Sequence, residues 1–324
     1  MKPIVVVAEL EYYPADAIST LACKFEVVSS VAKSAEQLNR ELESSNAFAF
    51  FCGLGIFLNG DSLARANNLK YIISPATGTN HFDSKFLTAR NIHIIKLGDF
   101  KVQIQNVFAT AELAWGLAIA CSRRFGMAVD SVQQGNFDRT LFLGRELYGK
   151  TLGIVGYGRL GRQMAKYGNV FGMNVVVFET DKSKYSAIAP YRKVDSLSDL
   201  LNISDVISVH IPFTDENENL INAEQISKIK RGAIFINTSR GELVDEYALS
   251  DSLRSGQLYG IGADVLRNES REGFLVSNSP LVRAMNDGFN VIVTPHVGGW
   301  SHDAVATTRS LMVNEFMKRY ENYL

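Results

Sequence analysis

Residues 149–172, GKTLGIVGYGRLGRQMAKYGNVFG, decide the fold of this chain. Leu152 to Val155 form a short apolar strand, Gly156-Tyr157-Gly158-Arg159-Leu160-Gly161 a GxGxxG turn, and Arg159 to Phe171 an amphipathic helix. A second strand, Asn174 to Phe178, ends on Glu179. That order is a dinucleotide-binding βαβ unit. Gly156 permits the tight turn, Gly158 leaves backbone open to a pyrophosphate, and Gly161 lets helix and strand approach. Free N–H groups at the helix start, aided by its dipole, hold phosphate. Glu179 lies 18 residues past Gly161, where a carboxylate binds both ribose hydroxyls and repels a 2′-phosphate. NAD is therefore expected over NADP. A glycine-rich loop between two core elements would not account for that acid.

Working outward, the first hundred residues alternate strand and helix signals. Strands are expected at Ile4–Val7, Phe25–Val28, Ala47–Cys52, Tyr71–Ser74 and Ile92–Ile95. Helices are expected near Ala15–Ala22, Ser34–Leu42, Asp61–Ala66 and Asp83–Ala89. This rhythm implies a parallel sheet with helices on both faces. One long helix is expected over residues 106–124, followed by an irregular arm from Ser131 to Tyr148. Six strands follow: Leu152–Val155, Val175–Phe178, Val206–His210, Ala233–Asn237, Tyr259–Ala263 and Val291–Thr294, with helices near 197–202, 223–229 and 245–255. The final helix, His302 to Tyr320, is out of register with that rhythm and is expected to return to the first domain. The fold class is thus α/β, with two doubly wound parallel-sheet domains. Residues 1–104 plus 300–324 are expected to form a discontinuous first domain and 105–299 a Rossmann NAD-binding domain.

The 324 residues suffice for two such cores. The net charge of −1 offers no basic footprint for nucleic acid or anionic membrane. Cys23, Cys52 and Cys121 show neither zinc spacing nor a disulfide framework, so buried thiols in a reducing compartment are expected. The run Ile4-Val5-Val6-Val7 is too short for a signal-peptide core, and no segment suits a bilayer. A cytoplasmic protein without membrane or nucleic-acid partners is expected. No histidine pair has metal-ligand spacing, so no metal is expected.

Ligands of doubly wound sheets bind beyond the carboxyl ends of the strands, and that rule screens the polar residues. Arg240 leaves the strand Ala233–Asn237 through Thr238 and Ser239; it is either a bidentate carboxylate clamp or a structural arginine. His296 follows the strand Val291–Thr294 through Pro295, beside Gly298 and Gly299; it is either a proton-transfer group or a structural histidine. Glu269 lies past a third strand, where a carboxylate against the imidazole would orient it; alone it reads as a solvated loop acid. Asp264, nearer the strand end, suits a bond to the nicotinamide carboxamide. His210 ends a strand and suits cofactor contact, whereas His81, His93 and His302 read as surface or structural. Leu54, Ile56, Phe57 and Trp300 suggest an apolar or medium-sized substrate side chain, or equally core residues.

The chain resembles the D-isomer-specific 2-hydroxyacid dehydrogenases, a family that includes D-3-phosphoglycerate, glyoxylate and D-lactate dehydrogenases. The motifs are Thr79-Asn80, Ala111-Glu112-Leu113, ELYGKTLGIVGYGRLG (146–161), His210-Ile211-Pro212, Asn237-Thr238-Ser239-Arg240-Gly241, Asp264-Val265 and Thr294-Pro295-His296-Val297-Gly298-Gly299. The resemblance implies a flavodoxin-like substrate domain beside the Rossmann domain. It implies that Arg240 binds the substrate carboxylate, His296 is the acid–base and Glu269 its partner. Thr77 and Gly78 would help hold the carboxylate through backbone amides, and Leu54 would meet the substrate. Thr110, Arg159, Leu160, Glu179, His210, Thr238, Asp264 and Gly298 would meet NAD, with Pro212 and Ser239 in the same motifs. The activity implied is hydride transfer between NAD(H) and a D-2-hydroxy or 2-oxo acid, in a homodimer built largely through residues 106–148. A non-enzymatic NAD(H) sensor on this fold, or a dehydrogenase of another acid such as formate, are the other readings. Three departures stand out. Ser270-Arg271 follow Glu269 where the family usually has proline, with a longer loop from there to His296. Cys52–Ile56 carry no positive charge, which speaks against a phosphorylated substrate unless a cation arrives from elsewhere. No appended regulatory domain is expected after Leu324.

Overall fold

The computed structural model describes residues 2–78, 81–270 and 273–321; Thr79, Asn80 and Arg271, singled out above, lie outside them. The chain divides into two compact units, one of Met1–Val107, Ser270–Gly273 and Ser301–Leu324, the other of Phe108–Glu269 and Phe274–Trp300.

The first unit begins with β1 (Ile4–Ala8), α1 (Ala15–Lys24), β2 (Glu26–Ser30), α2 (Ala35–Ser44) and β3 (Ala49–Phe51). It continues with α3 (Gly60–Leu63), β4 (Tyr71–Ser74), α4 (Ser84–Ala89) and β5 (His93–Lys96). The five strands are parallel in the order β2-β1-β3-β4-β5. Period-2 alternation sends Val5, Val7, Phe51 and Ile73 to one face and Val6, Phe50 and Ile72 to the other. Both faces are covered by helices, so the central strands are continuous apolar runs. Ser34 caps α2, its hydroxyl accepting from the Gln37 N–H at 3.3 Å. The order reverses between β1 and β3, and the loops there carry Glu9 and Gly53.

The second unit runs α5 (Ala109–Ser122), α6 (Phe125–Gln133), β6 (Thr151–Val155), α7 (Arg159–Val170), β7 (Asn174–Phe178), β8 (Arg192–Val194) and α8 (Leu197–Ile203). It closes with β9 (Val206–Val209), α9 (Ala223–Ser227), β10 (Ala233–Asn237), α10 (Glu246–Arg254), β11 (Leu258–Ala263), α11 (Pro280–Asn286) and β12 (Val291–Val293). Its seven strands are parallel in the order β12-β11-β10-β9-β6-β7-β8, reversing between β6 and β9. α5 lies on one face, where a side chain at Gly262 of β11 would come within 2.9 Å of Leu117. The last helix, α12 (His302–Glu321), belongs to the first unit: Met312, Val313, Phe316 and Tyr320 share its core with Val5, Phe51 and Ile73.

Four expectations need correction. The helix expected over 106–124 begins at Ala109 and stops at Ser122, because Arg124 takes a left-handed backbone (φ 51°); α6 then starts and runs into the expected irregular arm. The seven-stranded sheet has one strand more than the six expected. β8 is Arg-Lys-Val, with no apolar run to announce it, and it exists because it pairs along the edge of β7. The stretch before His296 is not all loop: α11, with proline at its first turn, buries Leu281, Val282 and Ala284. Cys23 is exposed on α1, whereas Cys52 and Cys121 are buried and their thiols are pushed up to about 12 by burial.

Candidate active site

The glycine turn after β6 is built by close approach. Gly156 has φ +93°, and a side chain there would come within 2.5 Å of Ile211 and 2.7 Å of the His210 carbonyl oxygen. A Cβ on Gly161 would sit 2.1 Å from the Gly156 carbonyl oxygen, so only glycine lets the first turn of α7 settle on the loop. Gly158 differs: a Cβ there meets no atom of the described residues within 4 Å, so they leave the space over the turn open. Glu179 closes the far side. Its Oε2 accepts from the Tyr157 N–H (2.8 Å) and Lys184 Nζ (3.1 Å), its Oε1 from the Asp181 N–H (2.9 Å). Burial alone would raise its pKa; these donors outweigh burial and hold the carboxyl below the usual range.

Beside the β6/β9 reversal lie two buried polar atoms without a partner among the described residues, His210 Nδ1 and Thr238 Oγ1. The other ring nitrogen, His210 Nε2, is 2.8 Å from Ser208 Oγ, and burial pushes the imidazole down to about 3, so it is neutral. Buried polar groups are normally satisfied, so two orphans at the strand ends fit a dinucleotide that supplies their partners. The Ser239 hydroxyl donates to the Val209 carbonyl at 2.8 Å, tying that loop to β9, and Pro212 lies exposed beyond β9. Arg159 and Leu160, half-buried, open α7.

The loops after β10, β11 and β12 bring the other candidates together. Arg240 leaves β10 through a turn in which Asn237 accepts from the Ser239 N–H (3.0 Å) and donates to the Arg240 carbonyl (2.8 Å). Burial lowers the guanidinium's pKa, and Glu269 and Glu242 counter it, so the side chain stays cationic. His296 has a left-handed backbone (φ 53°), and its Nδ1 lies 2.5 Å from Glu269 Oε1, which leaves Nε2 for another partner. Glu269 Oε2 accepts from the Leu266 N–H at 2.9 Å.

Asp264 is 1% exposed, and it anchors the loop that carries the histidine. Its Oδ1 accepts from the Thr294 hydroxyl (2.6 Å) and the Val297 N–H (2.9 Å), its Oδ2 from the Gly298 N–H (2.7 Å). Burial is the largest influence on it and raises its pKa despite those donors. Both oxygens are thus committed to residues 294–298, a duty that its position after β11 did not announce. A Cβ on Gly298 would fall 2.8 Å from Asp264 Oδ2 and 3.1 Å from Thr110 Cγ2, which brings Thr110 of α5 to the same place. Asn237 and Thr294, expected as strand ends, also bond the loops that follow; an asparagine two residues before a backbone N–H at a strand end is the turn signal that finds the first of them.

Leu54, Thr77 and Gly78 belong to the first unit, after β3 and β4. Leu54 and Phe57 are exposed, as is Trp300 in the second unit, so none of the three is a core residue; Ile56 packs on the first unit's core. Arg309 of α12 is 2% exposed and bound at 2.5 Å to Glu9, the residue that follows β1. His81 is buried with its Nε2 3.0 Å from Ser74 Oγ, a structural position. Among the described residues no cluster of His, Cys, Asp or Glu could hold a metal ion, and no helix is long and apolar enough to cross a membrane.

A profile of the D-isomer specific 2-hydroxyacid dehydrogenase NAD binding domain matches residues 115–298. The D-3-phosphoglycerate dehydrogenase of Methanocaldococcus jannaschii is 30% identical over 94% of this chain and 55% of its own length. The hydroxypyruvate reductase of Thermotoga maritima is 32% identical over 81% of each chain. The chain therefore spans about half the length of the phosphoglycerate relatives it matches and most of the reductase. Among solved structures, the D-lactate dehydrogenase of Aquifex aeolicus complexed with NAD and lactic acid superposes with a TM-score of 0.80 at 25% identity, over 98% of this chain and 96% of that one.

Proposed function

The chain belongs to the D-isomer specific 2-hydroxyacid dehydrogenase family, with NAD as cofactor, and we propose on that premise that it interconverts a D-2-hydroxy acid and its 2-oxo acid. The observation that carries the reading is the contact of His296 Nδ1 with Glu269 at 2.5 Å, the two residues coming from the ends of different strands. When bound, the nicotinamide supplies or accepts the hydride. The GxGxxG turn and Glu179 hold the dinucleotide, with His210, Pro212, Thr238 and Ser239 beside it, Asp264, Gly298 and Thr110 at its nicotinamide end, and Arg159 and Leu160 at its phosphates. Arg240 holds the acid's carboxylate and, with it, the alignment that makes the reaction effectively intramolecular. His296, oriented by Glu269, gives a proton from Nε2 to the carbonyl oxygen during reduction and takes it back during oxidation. The imidazolium and the guanidinium stabilise the developing alkoxide. Leu54 and the backbone of Thr77 and Gly78 serve the acid's other contacts.

An unphosphorylated acid is the proposed substrate, because Cys52–Ile56 carry no cation and Arg309 is buried against Glu9. The test is NADH oxidation against glyoxylate, hydroxypyruvate, pyruvate, phenylpyruvate and 3-phosphohydroxypyruvate. Turnover of one of the unphosphorylated acids, with kcat/KM lost in Arg240→Ala while NADH binding persists, is the expected result. Silence across the panel with NADH bound would move the reading to a non-enzymatic NAD(H) sensor.

A homodimer is proposed from the arm of the second unit. Phe125, Phe137, Leu141, Leu143 and Tyr148 are exposed, Phe137 at 94%, and all five fall within residues 125–148, where a second copy of the chain would cover them. Light scattering should give twice the chain mass, falling to a monomer when Phe137 and Leu143 become Asp. The free thiols at Cys52 and Cys121 suit the cytoplasm proposed as its location.

A further inference from the structure

We infer that Glu246, seconded by Glu242, is a positioning residue that holds the Glu269 loop against His296; the inference rests on the acid–base reading of that pair. Residues 266–269 leave β11 in a tight loop with Asn268 left-handed (φ 62°). Glu269 closes the loop on itself through the Leu266 N–H, which fixes its carboxylate relative to its own backbone but not relative to the histidine. No proline follows Glu269 to stiffen the chain there. The restraint comes from the two amides in the middle of the loop. The Arg267 N–H donates to Glu246 Oε1 at 2.7 Å, and the Asn268 N–H to Glu242 Oε1 at 3.1 Å.

The anchoring acids are themselves held. Glu246, 5% exposed, opens α10, and its Oε2 accepts from the Ser279 hydroxyl at 3.2 Å. The Arg267 side chain ties the loop further, through Glu218 and, at 2.8 Å, through Asn219 Oδ1. Gly241 is the contact point: a Cβ there would lie 2.2 Å from the Arg267 nitrogen, so any other residue would push the loop away. Arg240, Glu242 and Glu246 thus lie on one stretch of seven residues. The stretch that sets the carboxylate-binding arginine also sets the carboxylate that orients the histidine. Burying a carboxylate at Glu246 is unfavourable by itself, and burial raises its pKa. Held by Ser279 and by its place at the start of α10, that buried side chain is a rigid oxygen acceptor for a loop amide, which offsets the cost.

The test is steady-state kinetics, NADH affinity and Tm for Glu246→Gln, Glu246→Ala, Glu242→Ala, Glu269→Gln and the double variant Glu246→Ala/Glu269→Gln. Glutamine keeps an oxygen for the Arg267 N–H and an amide for Ser279, so Glu246→Gln should stay within about threefold of wild type. Glu246→Ala should lower kcat about 10- to 100-fold, the range for partners that orient reacting groups, with NADH affinity and the KM of the 2-oxo acid within about threefold. On Glu269→Gln the same alanine should cost less than about threefold, because the residue it positions is already disabled. If Glu246→Ala does not fold, the half-buried Glu242→Ala carries the test, with a kcat loss of about 3- to 10-fold and the same non-additivity on Glu269→Gln. Unchanged kcat in the folded alanine variants, or losses that multiply in full on Glu269→Gln, would overturn the inference. Full kcat in Glu269→Gln, or no turnover by the wild type, would instead sink the acid–base reading, and the inference with it.

Discussion

The glycine turn after β6 and the loops after β10, β11 and β12 occupy the same edge of one sheet, and they are built by opposite means. The turn is made of backbone and of missing side chains: Gly156 against Ile211, Gly161 against the Gly156 carbonyl, open space over Gly158. The other loops are held by carboxylate side chains that commit their oxygens to distant residues: Asp264 to the Val297 and Gly298 N–H groups, Glu269 to the His296 imidazole, Glu246 to the Arg267 N–H. A dinucleotide phosphate needs N–H groups and room, which glycine supplies locally. Proton transfer needs atoms held to within a fraction of an ångström, which takes a network.

Disabling one of these two regions should leave the other intact. His296→Asn, which tolerates the left-handed backbone, should cost roughly 100- to 10,000-fold in kcat while NADH affinity stays within about twofold. A parallel loss of NADH affinity would show that the two halves are not separable. Within the glycine half, two alanines should part company. A methyl on Gly158 meets no atom of the described residues within 4 Å, so in Gly158→Ala Tm should hold while NADH Kd rises about tenfold, a loss of about 1.4 kcal/mol. Gly161→Ala drives a methyl to 2.1 Å from a carbonyl oxygen, so stability itself should fall by about 1–3 kcal/mol by thermal unfolding. If Gly158→Ala lowers Tm as much as Gly161→Ala, the open space serves the fold rather than a ligand.

The smallest expected effect is a pH dependence that sets the halves apart by sign. Glu179 is held below the usual carboxylate range, so its stabilising contribution is full above the unfolded value of about 4.3 and is lost as pH falls through the lower folded value. Asp264 and Glu246 are raised by burial. The folded state then binds the extra proton, and their contribution falls as pH rises from the unfolded value through the folded one. Unfolding of Glu179→Gln against wild type between pH 3 and 7 should show a difference that is full near pH 6 and shrinks in acid. A difference that grows in acid would reverse the sign assigned to Glu179.

The same contrast decides what could be read from sequence. The GxGxxG turn, its strand and its helix were legible because their causes lie within a few residues of one another. Arg240, Glu269 and His296 were legible as positions, since each follows an apolar strand, and the structure has Glu269 and His296 in contact. The Glu246–Arg267 and Asp264–Gly298 bonds were not legible, because they join residues 21 and 34 apart whose letters carry no mark of each other. β8 escaped for a related reason: Arg192-Lys193-Val194 becomes a strand only because β7 offers an edge. Arg124 broke an otherwise continuous helical pattern through a backbone conformation that arginine does not advertise.

The place of α12 in the first core has a consequence for the order in which the protein is made. Val5, Phe51 and Ile73 leave the ribosome well before α12, the helix that packs on them through Met312, Val313 and Phe316. The second unit, nearly continuous in sequence, has all its strands available before α12 emerges. The core of the first unit is therefore completed only after the strands of the second have been made, and until then α1 covers its sheet face without α12. A chain cut before α12 would leave the part of that face under Met312, Val313 and Phe316 exposed permanently, and its failure would be aggregation rather than loss of the dinucleotide fold.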